Sequence, residues 1–192
     1  MGVPKIDTGP MTVQEFYAFT DTRPDDEKWE LIDGKPILNA SPSPLHQLIA
    51  GNIIAALSAS ELEHSLPWRV VPGFGVLASD TNRPEPDVMV VPTELFRLRP
   101  LPRDTKDALA LFEVMSPSTS RHDLKWKRAV YTAMPKLAHY VVVAQDVIEV
   151  VDFARADGFA ERQVNSLKSV LDLPALGVSI PLARIYRDTG LA

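Results

Sequence analysis

The sequence predicts a mixed α/β domain built on a partly parallel β-sheet, and three observations carry that expectation. Residues 108–115 and 139–143 are apolar runs of strand length, and one long helical segment, from Thr119 to about Ala133, lies between them. Strand, crossover helix and strand in that order make a βαβ unit whose strands run parallel. The 17 prolines fall mostly between apolar runs, where they mark the ends of elements.

The elements follow in order. Thr12-Val-Gln-Glu15 has the spacing of a capping box and opens a short helix through about Phe19. Residues 21–28 are polar and read as a loop. The stretch WELIDGKPIL then reads as a strand over 29–32, a tight Asp33-Gly34 turn, and a returning strand over 36–38. In SPSPLHQLIAGNIIAALSASELE, Ser43 takes the N-cap position and Pro44 the first helical position. The apolar face of that helix carries Leu45, Ile49, Ile53, Ala56 and Leu57, with His46 beside it. After Pro67 the expected strands are 68–71, 75–78, 87–91, 108–115, 139–143 and 147–153. The proline- and charge-rich segment 97–106 reads as an exposed loop, and the tail 166–185 alternates Leu, Val and Pro without a clear period. With no internal repeat or linker, residues 1–192 are expected to form one domain.

Composition narrows the functional classes. A net charge of -5 gives no global attraction to nucleic acid or anionic membrane, so any such contact must come from a local patch. The absence of cysteine excludes disulfides, thiolate metal sites and a cysteine nucleophile. No apolar run approaches the ~18 residues of a membrane span, and the N-terminus has no signal-peptide pattern, so a soluble, cytoplasmic protein without a membrane partner is expected. There is no Gly-x-Ser-x-Gly elbow and no phosphate-binding Gly-x-x-x-x-Gly-Lys loop.

One acid, Glu113, interrupts the apolar run 108–115, and a lone buried carboxylate is costly unless something compensates it. A second acid, Asp87, stands directly before Val88-Met89-Val90-Val91. If the two strands pair, the carboxylates meet and need a cation or a proton between them. Hard oxygen donors suit Mg²⁺ or Mn²⁺, which keep open positions for substrate phosphate. In the helix that follows, Lys127 shares a partly apolar, inward face with Asp123, Leu124, Val130 and Tyr131. Arg121, Lys125 and Arg128 form a separate basic stripe suited to neighbouring phosphates. Plainer roles exist for each: a loop cap for Asp87, a hairpin surface acid paired with Lys28 or Lys35 for Glu30, a first-turn surface residue for His46, and a solvated face for the stripe.

The ordered set WELIDGK, SPSPLHQ, EPDVMVV, FEVMSPSTSRHDLKWKRAVY and LAHYVVV resembles the bacterial "putative restriction endonuclease" family of the PD-(D/E)XK superfamily, long carried as a domain of unknown function. The resemblance runs from about Thr12 to Phe153. It implies a restriction-endonuclease-like core, a mixed β-sheet flanked by helices, and Mg²⁺- or Mn²⁺-dependent hydrolysis of phosphodiester bonds in DNA. It also implies that Asp87, Glu113 and the Val114 carbonyl hold the metal. Glu30 would complete the acidic cluster, Lys127 would serve the chemistry, and His46 and Gln47 would touch the cluster or the substrate. One departure stands out: Met115 occupies the position of the superfamily's lysine, and the resemblance implies that a lysine of the following helix, here Lys127, serves instead. A homodimer would suit cutting both strands. The rival expectation is a non-catalytic DNA-binding or protein-interaction module on the same scaffold, which would tolerate loss of the acids.

Overall fold

The computed structural model describes residues 9–115 and 121–191, with the side chains of 121–123 outside that description. Helix α1 (Val13–Thr20) begins at the expected capping box, Thr12 and Glu15 each accepting from the other's backbone N–H. The hairpin β1 (Trp29–Ile32) and β2 (Lys35–Leu38) turns at Asp33 and Gly34, both with positive φ, as a tight two-residue turn requires. Helix α2 (Pro44–His64) is capped by the Ser43 side chain, which accepts from the His46 N–H.

Strands β3 (Trp68–Pro72), β4 (Gly75–Val76), β5 (Val88–Pro92), β6 (Asp104–Thr105) and β7 (Ala110–Met115) precede helix α3 (Arg121–Thr132). Strands β8 (His139–Ala144), β9 (Val150–Ala154) and β10 (Glu161–Val164) follow, then β11 (Val170–Leu173), β12 (Val178–Pro181) and the short α4 (Leu182–Ile185). The main sheet has six strands in the order β10-β9-β8-β7-β5-β3. Only β7 and β8 run parallel within it, joined through α3 as the βαβ pattern predicts.

The fold class read from the sequence therefore stands, with several boundaries moved. The expected strands 75–78 and 147–153 shorten to Gly75–Val76 and Val150–Ala154. The expected helix start at Thr119 lies outside the described residues. The segment 97–106 is more than a loop, because it contributes β6, parallel to β4, with Thr105 buried. The tail without apparent period folds into the β11–β12 hairpin and α4.

Both faces of the sheet are covered. On one, Ile49, Ile53 and Leu57 of α2 pack with Val88, Val90, Phe112, Val141 and the apolar side chains of β11, β12 and α4. On the other, Tyr131 of α3 packs with Met89, Val91, Leu111, Tyr140 and Phe153. Full burial of each such side chain contributes about 1.5–3 kcal/mol, which explains why β5, β7 and β8 are near-continuous apolar runs. A smaller cluster of Val13, Phe16 and Leu31 joins α1 to the β1–β2 hairpin. Among the described residues no helix is long and apolar enough to cross a membrane.

Candidate active site

Strand register brings the two acids together. Strands β5 and β7 are antiparallel with Val88 opposite Phe112, so one step outward sets Asp87 opposite Glu113. Side chains opposite one another share a face, with Cβ atoms about 4.5–5.5 Å apart. By the same alternation both acids lie on the face of Met89 and Leu111, which is the face covered by α3.

Each carboxylate is held by two partners. Asp87 Oδ2 accepts the Val114 N–H at 2.8 Å and lies 3.1 Å from His46 Nε2, which arrives from the first turn of α2. Glu113 Oε1 accepts from Lys127 Nζ at 3.0 Å and from the Tyr131 hydroxyl at 2.9 Å, both on α3. Lys127 and Tyr131 are four residues apart, so they rise one above the other on the face turned to the sheet. Glu113 is 8% exposed and Lys127 9%, which makes this a buried ion pair.

Glu30 comes from β1 and reaches the acids through Lys127, while its own oxygens are held by other partners. Its Oε1 accepts the Glu85 N–H at 2.6 Å and its Oε2 accepts from Asn39 Nδ2 at 3.0 Å. Lys127 Nζ stands 3.7 Å from Glu30 Oε1, so the lysine bridges the two glutamates. The alternative of a surface acid paired with Lys28 or Lys35 fails as well, because Glu30 is buried and Lys28 pairs with Glu85.

The electrostatics follow from burial and contacts. Burial pushes the Glu113 carboxyl up to about 7; the Lys127 charge opposes that rise, and the Asp87 and Glu30 charges add to it. For Asp87 burial also pulls upward, but the His46 contact and charge and the Val114 N–H outweigh it and hold the carboxyl below its usual value. His46 is raised in turn, chiefly by its hydrogen bond to Asp87 against the opposing effect of burial. Its Nδ1 is buried without a hydrogen-bond partner.

The donor set fits a hard divalent ion. Among the described residues no three His, Asp or Glu side chains are grouped to hold a metal. The candidate donors are the Asp87 and Glu113 carboxylates and a backbone oxygen. In an extended strand the N–H and C=O of one residue point to the same side, so the Val114 carbonyl faces the flank where its N–H meets Asp87. Mg²⁺ is bound through one or two carboxylates with water and phosphate completing its shell, so this set suffices for it.

The remaining expected site residues divide. Gln47 and Lys125 are exposed, and the side chain of Arg121 lies outside the described residues. Arg128 is no part of a free outward row. It donates to the Phe159 carbonyl at 2.8 Å and stacks over the Phe153 ring at 4.1 Å. Two contributors were missed: the Tyr131 hydroxyl and Asn39. Helical spacing set Tyr131 on the Lys127 face, but nothing in the sequence marks its hydroxyl as the partner of Glu113.

Comparison with known proteins adds three findings. No functionally curated protein matches the sequence. A crystal structure of "a putative nuclease belonging to DUF820" from Anabaena variabilis ATCC 29413 superposes with a TM-score of 0.76 at 14% identity, covering 92% of this chain and 98% of the other. At that identity the likeness concerns the fold. The Uma2 family model, described as "Putative restriction endonuclease", matches residues 13–183, which contain every residue of the site just described, and the chain belongs to that family.

Proposed function

We propose that this protein is a divalent-metal-dependent endonuclease that hydrolyses phosphodiester bonds in DNA. The observation that carries the reading is the facing pair Asp87 and Glu113 with Lys127 Nζ 3.0 Å from Glu113 Oε1. A buried, pKa-perturbed carboxylate beside a second acid and an ammonium is the kind of arrangement that active sites build and cores avoid. Asp87, Glu113 and the Val114 carbonyl would hold Mg²⁺ or Mn²⁺. When bound, the ion supplies charge neutralisation at the scissile phosphate and acidifies a water.

The chain's own residues do the rest. Val114 N–H and His46 both hold Oδ2 of the Asp87 carboxylate. Lys127 holds Glu113 in the metal-free protein, and with the ion's charge at the carboxylates its ammonium is available to orient the attacking water or to stabilise charge on the phosphate oxygens. Exposed Lys125 is suited to a neighbouring phosphate, a contact of positioning rather than sequence reading. A cytoplasmic location and a two-fold dimer on duplex DNA complete the reading.

The test is cleavage of supercoiled plasmid with Mg²⁺, Mn²⁺ or chelator, for the wild type and for Asp87→Ala and Glu113→Ala. Metal-dependent nicking that both variants lose, while melting cooperatively, supports the endonuclease. DNA binding that survives both substitutions without any cleavage by the wild type favours the non-catalytic module. An Mn²⁺ soak read by anomalous scattering, with a peak about 2.1–2.3 Å from both carboxylates, tests the metal directly.

A further inference from the structure

Tyr131 is fully buried, with 0% exposure, in the last turn of α3. Its ring meets Tyr140 edge-on at 5.2 Å, and Tyr140 in turn stacks on Phe153. A phenylalanine would fill that space equally well, so packing does not explain the hydroxyl. The hydroxyl donates at 2.9 Å to Glu113 Oε1, the same oxygen that accepts from Lys127 at 3.0 Å.

One donor on a carboxylate oxygen leaves the group free to rotate about its terminal bond, where the torsional preference is broad. Two donors from one helix face, converging on one oxygen, define its plane. We propose that Tyr131 is a positioning residue: its hydroxyl, acting with Lys127, pins Oε1 of Glu113 and thereby sets the direction in which Oε2 faces. The consequence for the metal rests on the endonuclease reading given above. Under that reading Oε2 is the oxygen offered to the ion, and Tyr131 keeps Glu113 from swinging when Lys127 turns to the substrate. Outer-shell hydrogen bonds of this kind orient ligands, and removing one typically weakens metal affinity about 10–100-fold.

The experiment uses Tyr131→Phe in the full chain. Metal-free crystal structures of wild type and variant report the orientation of the Glu113 carboxylate, and isothermal titration with Mn²⁺ reports affinity, with thermal melts as the control for folding. The expected result is a rotated or doubled Glu113 carboxylate and about 10-fold weaker Mn²⁺ binding, with a cooperative melt. A Glu113 carboxylate unmoved in the variant overturns the proposal. If the wild type binds no Mn²⁺, the metal reading fails by itself, and the carboxylate orientation still decides the role of Tyr131.

Discussion

Replacing Lys127 with methionine in the metal-free protein removes the ammonium that stands 3.0 Å from Glu113 Oε1 and 3.7 Å from Glu30 Oε1. Truncating one partner of a buried ion pair ordinarily costs about 3–5 kcal/mol, because a charge is left behind. Here the charge can be discharged. Burial holds the Glu113 carboxyl at about 7 even with the lysine present, and without it the carboxyl rises further and takes up a proton. An acid whose folded pKa is raised contributes stability below its unfolded value and loses it as pH climbs to the folded value. In the wild type that loss is complete near pH 7, whereas in the variant it continues. The two proteins should therefore agree in this contribution below pH 7 and diverge above it by about 1.4 kcal/mol per pH unit. At pH 8 that is about 1.4 kcal/mol, or about 3–6 °C in melting temperature for a domain of this size, and roughly double at pH 9. Glu30 adds little, since the Glu85 N–H and Asn39 remain bound to it. The assay is thermal melting in chelator at pH 6, 7, 8 and 9, paired with plasmid cleavage. A pH-independent fall of about 10 °C or more would refute the reasoning, as it would mean that Glu113 cannot discharge. Full cleavage by the variant would remove Lys127 from the chemistry.

Three further outcomes are expected. Glu113→Gln should melt higher than the wild type in chelator at pH 8 and equally at pH 5, because the amide escapes the burial penalty of the charged carboxylate; a lower melting temperature at pH 8 contradicts that account. His46→Ala should destabilise most between the ordinary values of its pair, 3.8 for Asp87 and 6.5 for His46, where both are charged. Melts showing a larger deficit at pH 9 than at pH 5 would reverse that sign. Asn52→Ala removes donors to the Ile185 and Arg187 carbonyls at 3.1 and 2.8 Å, so urea unfolding should show a loss of about 2 kcal/mol with cleavage unchanged.

Local chemistry was the legible part of this fold. The Thr12 capping box, the Asp33-Gly34 turn, the Ser43-Pro44 helix start and the apolar runs each depend on neighbours within a few residues, and each appears where expected. Glu113 was legible for the opposite reason, as a violation of its strand's pattern. What escaped depends on distant partners or on very short pairing. Strands β4 and β6 are two residues each and exist only through one another. Strand β10 reads Glu-Arg-Gln-Val and has no apolar alternation, since it closes the sheet's edge. In β11 and β12, Leu171, Leu173, Val178 and Ile180 do alternate inward, but Pro174 and Gly177 between them obscured a hairpin. Arg128 was misjudged because helical spacing gives its direction without revealing that β9 supplies the Phe153 ring at that spot.

The opposition of Asp87 and Glu113 makes this site a matter of counting. Strand β7 lies inside the sheet, paired on both sides, and Asp87 immediately precedes the first residue of β5, where its carboxylate takes the Val114 N–H. Since side chains change face at every step, a single residue inserted between Asp87 and Val88, where the paired run begins, would turn the acid to the opposite face of the sheet, away from Glu113, however well the strand itself survived. Changes of residue type nearby alter the strength of the site, whereas changes of chain length abolish it. A library that varies side chains around Val88–Pro92 should thus retain active members, and one that varies the spacing by one residue should contain none, even among its stably folded products.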